Sequence, residues 1–301
     1  MGDPRGFLKH KREEVNLRSP KIRMKDFSSH EVPWSDEKTR TQSGRCMNCG
    51  VPFCVSGCPL GNMIGSFNDL IYKGLWEEAL VSLHATNNFP EFTGKVCPAP
   101  CEHSCVLKID NEPVNIKNSE YQIVKKGFEE NRIKPIPPMK RLNKRVIIIG
   151  SGPAGLACAQ QLNRVGYHVK VLEKRAQPGG LLTYGIPEYK LPYHIIKRRY
   201  DLLQSEGIDF SFSCEVGKDI TISQLRQESD AVVLCTGAEK PRDLLIPGRE
   251  FHGVHFAMDY LSQQINMESV TSKHPIDARG KNVIVIGGGD TGADCIGTAL
   301  R

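Results

Sequence analysis

Residues 146–173 read VIIIGSGPAGLACAQQLNRVGYHVKVLE. The run Val146 to Ile149 has the β-branched, apolar character of a buried strand. Gly150, Gly152 and Gly155 then form G-x-G-x-x-G at the start of a helical stretch, and Val169 to Leu172 is a second strand that ends in Glu173. A lone glycine pattern says little. Placed between a strand and a helix, with an acid some twenty residues on, it is the fingerprint of a dinucleotide-binding βαβ unit.

The residue types suit that chemistry. Gly150 permits the tight turn, Gly152 lets the backbone approach a pyrophosphate, and Gly155 lets helix and strand pack closely. The helix N-terminus offers free N–H groups and a partial positive charge to the phosphates. Glu173 would accept hydrogen bonds from a ribose. A carboxylate there suits the free 2'-hydroxyl of FAD or NAD and repels the 2'-phosphate of NADP.

Working toward the C-terminus, Ile208 to Phe212, Ala231 to Cys235 and Val283 to Ile286 read as further strands separated by helical periods. That alternation predicts a parallel sheet with helices on both faces. A second glycine loop lies in NVIVIGGGDTGADCIGTAL, residues 282–300, with Gly287, Gly289 and Gly292 after an apolar strand. Two such loops predict two dinucleotides, FAD and a nicotinamide cofactor exchanging a hydride. The acid matching Glu173 would fall at about position 310 on the fingerprint's spacing, so NAD and NADP are not distinguished. The chain reads as truncated within this second nucleotide-binding unit.

Working toward the N-terminus, IKPIPP at 133–138 cannot propagate a helix and marks a boundary. Before it lie seven of the chain's 11 cysteines. Cys46, Cys49, Cys54 and Cys58 stand at C-x2-C-x4-C-x3-C followed by Pro59, and Cys97, Cys101 and Cys105 at C-x3-C-x3-C. A disulfide framework needs an oxidising compartment and usually a small domain, whereas the start of the sequence, without the apolar run of a secretory signal, predicts a reducing one. Structural zinc favours paired C-x2-C knuckles, of which there is one. Crowded thiolates ending in Cys-Pro match iron–sulfur ligation, in which the last cysteine of a run serves a different cluster from the others. Seven thiolates leave two four-iron clusters one ligand short. Asp110, Glu112 and Glu120 lie downstream as acids, and spacing alone does not choose among them; for an isolated Glu the plain alternative is a solvated surface charge. The apolar residues Phe67, Leu70, Ile71, Leu75, Trp76, Leu80 and Leu83 predict two short helices between the cysteine groups, and Tyr121, Ile123, Val124 and Phe128 predict another.

Composition sets the outer limits. The 301 residues, 39% hydrophobic and 25% charged, can bury a core and accommodate about two domains. No run approaches the roughly 18 apolar residues of a membrane span. A net charge of +6 with no aromatic interleaving gives no nucleic-acid partner. The basic start, which includes Arg5, Lys9, Arg12, Arg18 and Arg23, reads as a solvated or partner-facing segment of a cytoplasmic protein. His84, His103, His194 and Cys158 read as packing or surface positions, and no acid–base catalytic residue is predicted.

Four stretches carry a family resemblance: MGDPRGFLKHKR, RTQSGRCMNCGVPFCVSGCPLGNMI, HATNNFPEFTGKVCPAPCEHSCVL and GGLLTYGIPEYKLP. They resemble the small (beta) subunits of glutamate synthases and the matching C-terminal region of fused glutamate synthases. The resemblance implies an α plus α/β protein: a helical domain with two [4Fe-4S] clusters at 1–138, a Rossmann-like FAD domain at 139–278, and the start of an inserted NADPH domain at 279–301. Carried over from the related dihydropyrimidine dehydrogenase arrangement, Cys46, Cys49, Cys54 and Cys105 hold one cluster. Cys58, Cys97, Cys101 and a non-thiolate group at Glu120, four residues beyond the element formed by Pro113, Asn115 and Ile116, hold the other. The relative has Gln at that last position.

By the same resemblance Gly150, Ser151, Gly152, Pro153, Ala154, Gly155 and Glu173 hold the FAD pyrophosphate and ribose. Gly180, Leu181 and Lys190 lie toward the flavin, and Gly287, Gly289, Asp290, Thr291 and Gly292 face the NADPH (or NADH) phosphates. The implied partner is a large (alpha) subunit with FMN that forms L-glutamate from 2-oxoglutarate and glutamine. The rival readings are a subunit of the same architecture serving another acceptor (ferredoxin, a pyrimidine or a sulfur compound), and an inactive cysteine-rich fragment holding zinc.

Overall fold

The computed structural model describes residues 2–110, 112–263 and 276–301. They form two compact units, one of residues 2–18 and 30–134 and the other of residues 19–29 with the described residues from 135 to 301.

The first unit is helical. In the helix Ile64–Lys73, Ile64, Phe67 and Ile71 recur at three- and four-residue spacing and are buried, and the helix stops at Gly74, whose φ of 80° is left-handed. Trp76–His84 follows and buries Ala79, Leu80 and Leu83. The longest helix of this unit, Ile116–Glu129, lays Ile116, Glu120, Ile123 and Gly127 along its buried face. Phe67, Ile71, Leu80, Leu83, Ile116 and Ile123 belong to one core, and Cys46, Cys54, Cys58 and Cys105 pack against it. The short helices Phe53–Ser56 and Pro100–His103 sit within the two cysteine loops. The helices predicted from apolar spacing are therefore present, and the last begins five residues earlier than its apolar residues alone indicate.

The second unit is built on a four-stranded parallel sheet: β1 (Arg145–Ile149), β2 (His168–Leu172), β3 (Asp209–Ser211) and β4 (Ala231–Leu234), in the order β3-β2-β1-β4. The register runs Ile147 against Lys170 and Val232, and Ile149 against Leu172 and Leu234. Helix Pro153–Arg164 connects β1 to β2, as parallel strands require a crossover. Tyr193–Ser205 precedes β3, and Ile222–Glu228, opened by a Thr221–Gln224 capping box, precedes β4.

Two expectations are corrected. Val283 to Ile286 is not a strand, and Val283, Ile284 and Ile286 are exposed. Among the described residues no strand pairs with this run, so its backbone groups have no ladder to join. The basic start is not uniformly solvated either. Arg12 is largely buried, 3.0 Å from the Glu102 carboxylate, and donates to the carbonyls of Pro113 and Val114. No helix among the described residues is long and apolar enough to cross a membrane.

Candidate functional site

The first cysteine loop turns on Asn48, a non-glycine residue at φ 47°. Its N–H donates to the Cys46 sulfur. The second loop repeats the device: Ala99 sits at φ 55° and its N–H donates to the Cys97 sulfur at 3.4 Å. In both, a left-handed residue two positions after a cysteine turns an amide toward sulfur, which is how a loop stabilises thiolate.

Cys46, Cys49, Cys54 and Cys105 line one cavity of about 230 Å³, walled by Met47, Phe53, Val55, Ile64, Leu107 and Ile116. Burial pushes the Cys46 thiol up to about 11, and the nearby Cys54, Cys105 and Cys49 add to the rise. Cys54 is raised as well, by burial first and by Cys105 next. Cys101 is raised by burial and then by Glu120, with Glu102, Cys58 and Cys97 also acting on it. The thiols thus fall into two electrostatic neighbourhoods, and each repels its own negative charge unless a cationic centre joins it.

Glu120 is not a surface charge. It is 5% exposed, and Asn62 Nδ2 donates to its Oε1 at 2.8 Å. Burial pushes its carboxyl up to about 7, against the Asn62 hydrogen bond. Asn62 is itself fixed, since its Oδ1 accepts from Thr86 Oγ1 at 2.7 Å. Sequence reading missed Asn62. The signal for Glu120 was its place on the buried stripe of Ile116–Glu129, four residues from Ile116 and three from Ile123. Asp110 and Glu112 are both exposed.

Among the described residues, no three His, Cys, Asp or Glu side chains converge as a single bound ion demands. Four thiols spread round an apolar-walled cavity suit a polynuclear cluster of soft metal and sulfide. The donor set fits that group better than zinc.

The second cavity, about 330 Å³, is lined by Gly150, Ser151, Gly152, Pro153, Glu173, Gly180 and Leu181, together with Cys235 to Glu239. Gly150 adopts φ 105°, and a Cβ on Gly155 would lie 2.0 Å from the Gly150 carbonyl oxygen, so strand and helix meet backbone to backbone. A Cβ on Gly152 would meet nothing within 4 Å. The space over Gly152 is a cradle facing the N-terminus of Pro153–Arg164. Glu173 Oε2 accepts from Ser151 N and Oγ at 3.0 and 2.5 Å, and Oε1 accepts from Arg175 N at 2.9 Å. Three of about four acceptor positions are filled, which leaves capacity for a ribose hydroxyl. These residues fit a dinucleotide's pyrophosphate and ribose.

Ala154 follows at the second position of the helix. Lys190 does not line this cavity. Its Nζ lies 2.9 Å from Asp294 and 3.9 Å from Asp290. In the second glycine loop Gly287 has φ 118°, and a Cβ on Gly292 would come within 2.5 Å of the Gly287 carbonyl, as at Gly155 and Gly150. Gly289 caps the helix Asp290–Ala299, which Asp290 and Thr291 open.

Two family models match the chain: dihydropyrimidine dehydrogenase domain II, 4Fe-4S cluster, over residues 23–132, and pyridine nucleotide-disulphide oxidoreductase over residues 144–301. The chain belongs to the pyridine nucleotide-disulphide oxidoreductase family. The 4Fe-4S cluster match lies ahead of it in the chain. The glutamate synthase [NADPH] small chain of Bacillus subtilis (strain 168) is 54% identical, over 100% of this chain and 64% of its own length. That of Mycobacterium tuberculosis (strain CDC 1551 / Oshkosh) is 48% identical over 100% of this chain and 63% of its own. The glutamate synthase [NADH] of Schizosaccharomyces pombe (strain 972 / ATCC 24843) is 49% identical over 99% of this chain and 14% of its own. The resemblance read from the sequence is borne out by these relatives. The chain spans a little under two thirds of the length of the small chains it matches.

Proposed function

We propose that this chain is the electron-input subunit, or region, of a glutamate synthase. It takes a hydride from NADPH or NADH and passes electrons through FAD and two [4Fe-4S] clusters to a large subunit carrying FMN, which forms L-glutamate from 2-oxoglutarate and glutamine. The observation that carries the reading is the cavity with four thiols, held in one chain with a glycine cradle closed by Glu173.

In this reading residues 1–138 are the cluster domain, 139–278 the FAD domain, and 279–301 the start of the NADPH domain. Cys46, Cys49, Cys54 and Cys105 hold one cluster; Cys58, Cys97, Cys101 and Glu120 hold the other. The amides of Asn48 and Ala99 steady the sulfurs. Ser151, Gly152 and the helix beginning at Pro153 take the pyrophosphate, and Glu173 takes the ribose while anchoring Ser151. Bound FAD would supply the conversion between two-electron hydride chemistry and the single electrons that clusters accept. No side chain of this chain need move a proton in that exchange. Gly287, Gly289, Asp290, Thr291 and Gly292 serve the nicotinamide cofactor's phosphates.

The test is anaerobic reduction of the purified, cofactor-loaded full-length protein by NADPH and by NADH. Bleaching of flavin absorbance followed by iron–sulfur absorbance is expected, with co-purification of an FMN-containing large subunit. A loaded protein that neither pyridine nucleotide bleaches would overturn the reading.

A further inference from the structure

Arg45, the residue before Cys46, is completely shielded from solvent. Its Nε donates to the His10 carbonyl at 3.0 Å, Nη1 to Pro113 at 2.9 Å and Nη2 to Glu112 at 2.8 Å. All three acceptors are backbone oxygens. Among the described residues Arg45 makes no ion pair. Its cationic neighbour Arg12 is paired with Glu14 and Glu102. Carbonyl dipoles orient a guanidinium and offset part of its desolvation but bring no net negative charge to neutralise it, and buried charges are ordinarily paired. Arg45 directly precedes Cys46, and the carbonyls it grips at Glu112 and Pro113 lead into Val114, which lines the same cavity as Cys46 and Cys105; Glu112 itself is an exposed residue.

The second ligand set differs. Lys95, two residues before Cys97, is neutralised by Glu31 at 2.5 Å and lies over the Tyr121 ring. The groups acting on Glu120 are Asn62 and Glu102, neither of them a cation.

We propose that Arg45 is the charge partner of the cluster held by Cys46, Cys49, Cys54 and Cys105, and that it raises that cluster's reduction potential. This rests on the cluster reading above. Taking up one electron, supplied by NAD(P)H through the flavin or by dithionite in the test, makes and breaks no bond and adds one negative charge to the site. A fixed guanidinium in a low-dielectric interior stabilises that added charge, which favours the reduced form. Arg45 acts through the cluster and is a positioning and tuning residue.

The experiment is a potentiometric titration of the anaerobically prepared full chain, followed by EPR, with iron and labile sulfide measured on every sample. Arg45→Gln is expected to lower one cluster's one-electron equilibrium constant at least tenfold, about 59 mV, and to leave the other cluster unmoved. Arg45→Lys, which keeps the charge, is expected to stay close to wild type. Glu112→Gln leaves the backbone carbonyl in place and removes a competing anion from an exposed position. It is expected to move the same cluster the opposite way, roughly threefold at low ionic strength. If Arg45→Gln loads its clusters and neither potential moves, the proposal is overturned. If Arg45→Gln fails to fold, an unmoved Glu112→Gln overturns it instead. Wild-type protein without iron and sulfide would defeat the underlying cluster reading.

Discussion

Asn62 Nδ2 and Glu120 Oε1 stand 2.8 Å apart, in side chains that are 1% and 5% exposed. The Asn62 amide fixes one oxygen of this buried carboxyl, and Glu120 is the strongest electrostatic neighbour of Cys101. Glu120→Ala is therefore expected to reduce bound iron from about eight to about four atoms per chain, and Glu120→Gln, which keeps a carbonyl oxygen donor, to retain most of it. Iron and labile sulfide per chain decide it; a full complement in the alanine variant counts against Glu120 as ligand.

Gly152 and Gly155 should separate binding from folding. A Cβ at 155 falls 2.0 Å from a backbone oxygen, so Gly155→Ala must shift strand or helix, at a cost of about 1–3 kcal/mol. A Cβ at 152 meets open space, so Gly152→Ala is expected to melt like wild type without flavin and to lose flavin affinity by tenfold or more. Paired thermal melts and flavin titrations check both. Equal loss of stability in the two variants would contradict the cradle.

Glu173 carries two duties, tying Ser151 and receiving ribose. Glu173→Gln keeps the shape but weakens charge-assisted bonds worth about 1.5–3 kcal/mol, so flavin affinity should fall roughly 10- to 100-fold. Fluorescence titration of released flavin measures it, and an unchanged affinity would place the ribose elsewhere.

How much of this was legible in the sequence depended on how local the signal was. The first glycine loop, the parallel sheet and the paired helices at 64–84 follow from spacing and turn residues alone. Residues 19–29 grouping with the C-terminal unit do not, because the contacts responsible lie far along the chain: Phe27 packs near Tyr189, and Arg301 Nε donates to the Asp26 carbonyl. Burial of Glu120 was hidden because the helix was read from Tyr121 onward, which left Ile116 off the stripe and Glu120 outside it. The run at 283–286 has a strand's composition, but a strand also needs a neighbour to bond. Nothing in the local sequence of Arg45 announces that the backbone carbonyls of His10, Glu112 and Pro113 will surround it.

Lys190 and Asp294 form a nearly buried pair at 2.9 Å, with side chains 23% and 7% exposed. Lys190→Met leaves a buried carboxylate without its cation and is expected to destabilise the second unit by about 2 kcal/mol. Adding Asp294→Asn should restore more than half of that, because the stranded charge is gone. A double-mutant cycle by denaturant melts tests it, and strictly additive losses would show that the pair is not coupled.

Metal and acid-labile sulfide analysis of anaerobically purified protein bears most directly on the whole account. It predicts about eight iron and about eight sulfide per chain, as two four-iron clusters require. One or two zinc ions per chain, with neither iron nor sulfide, would contradict it.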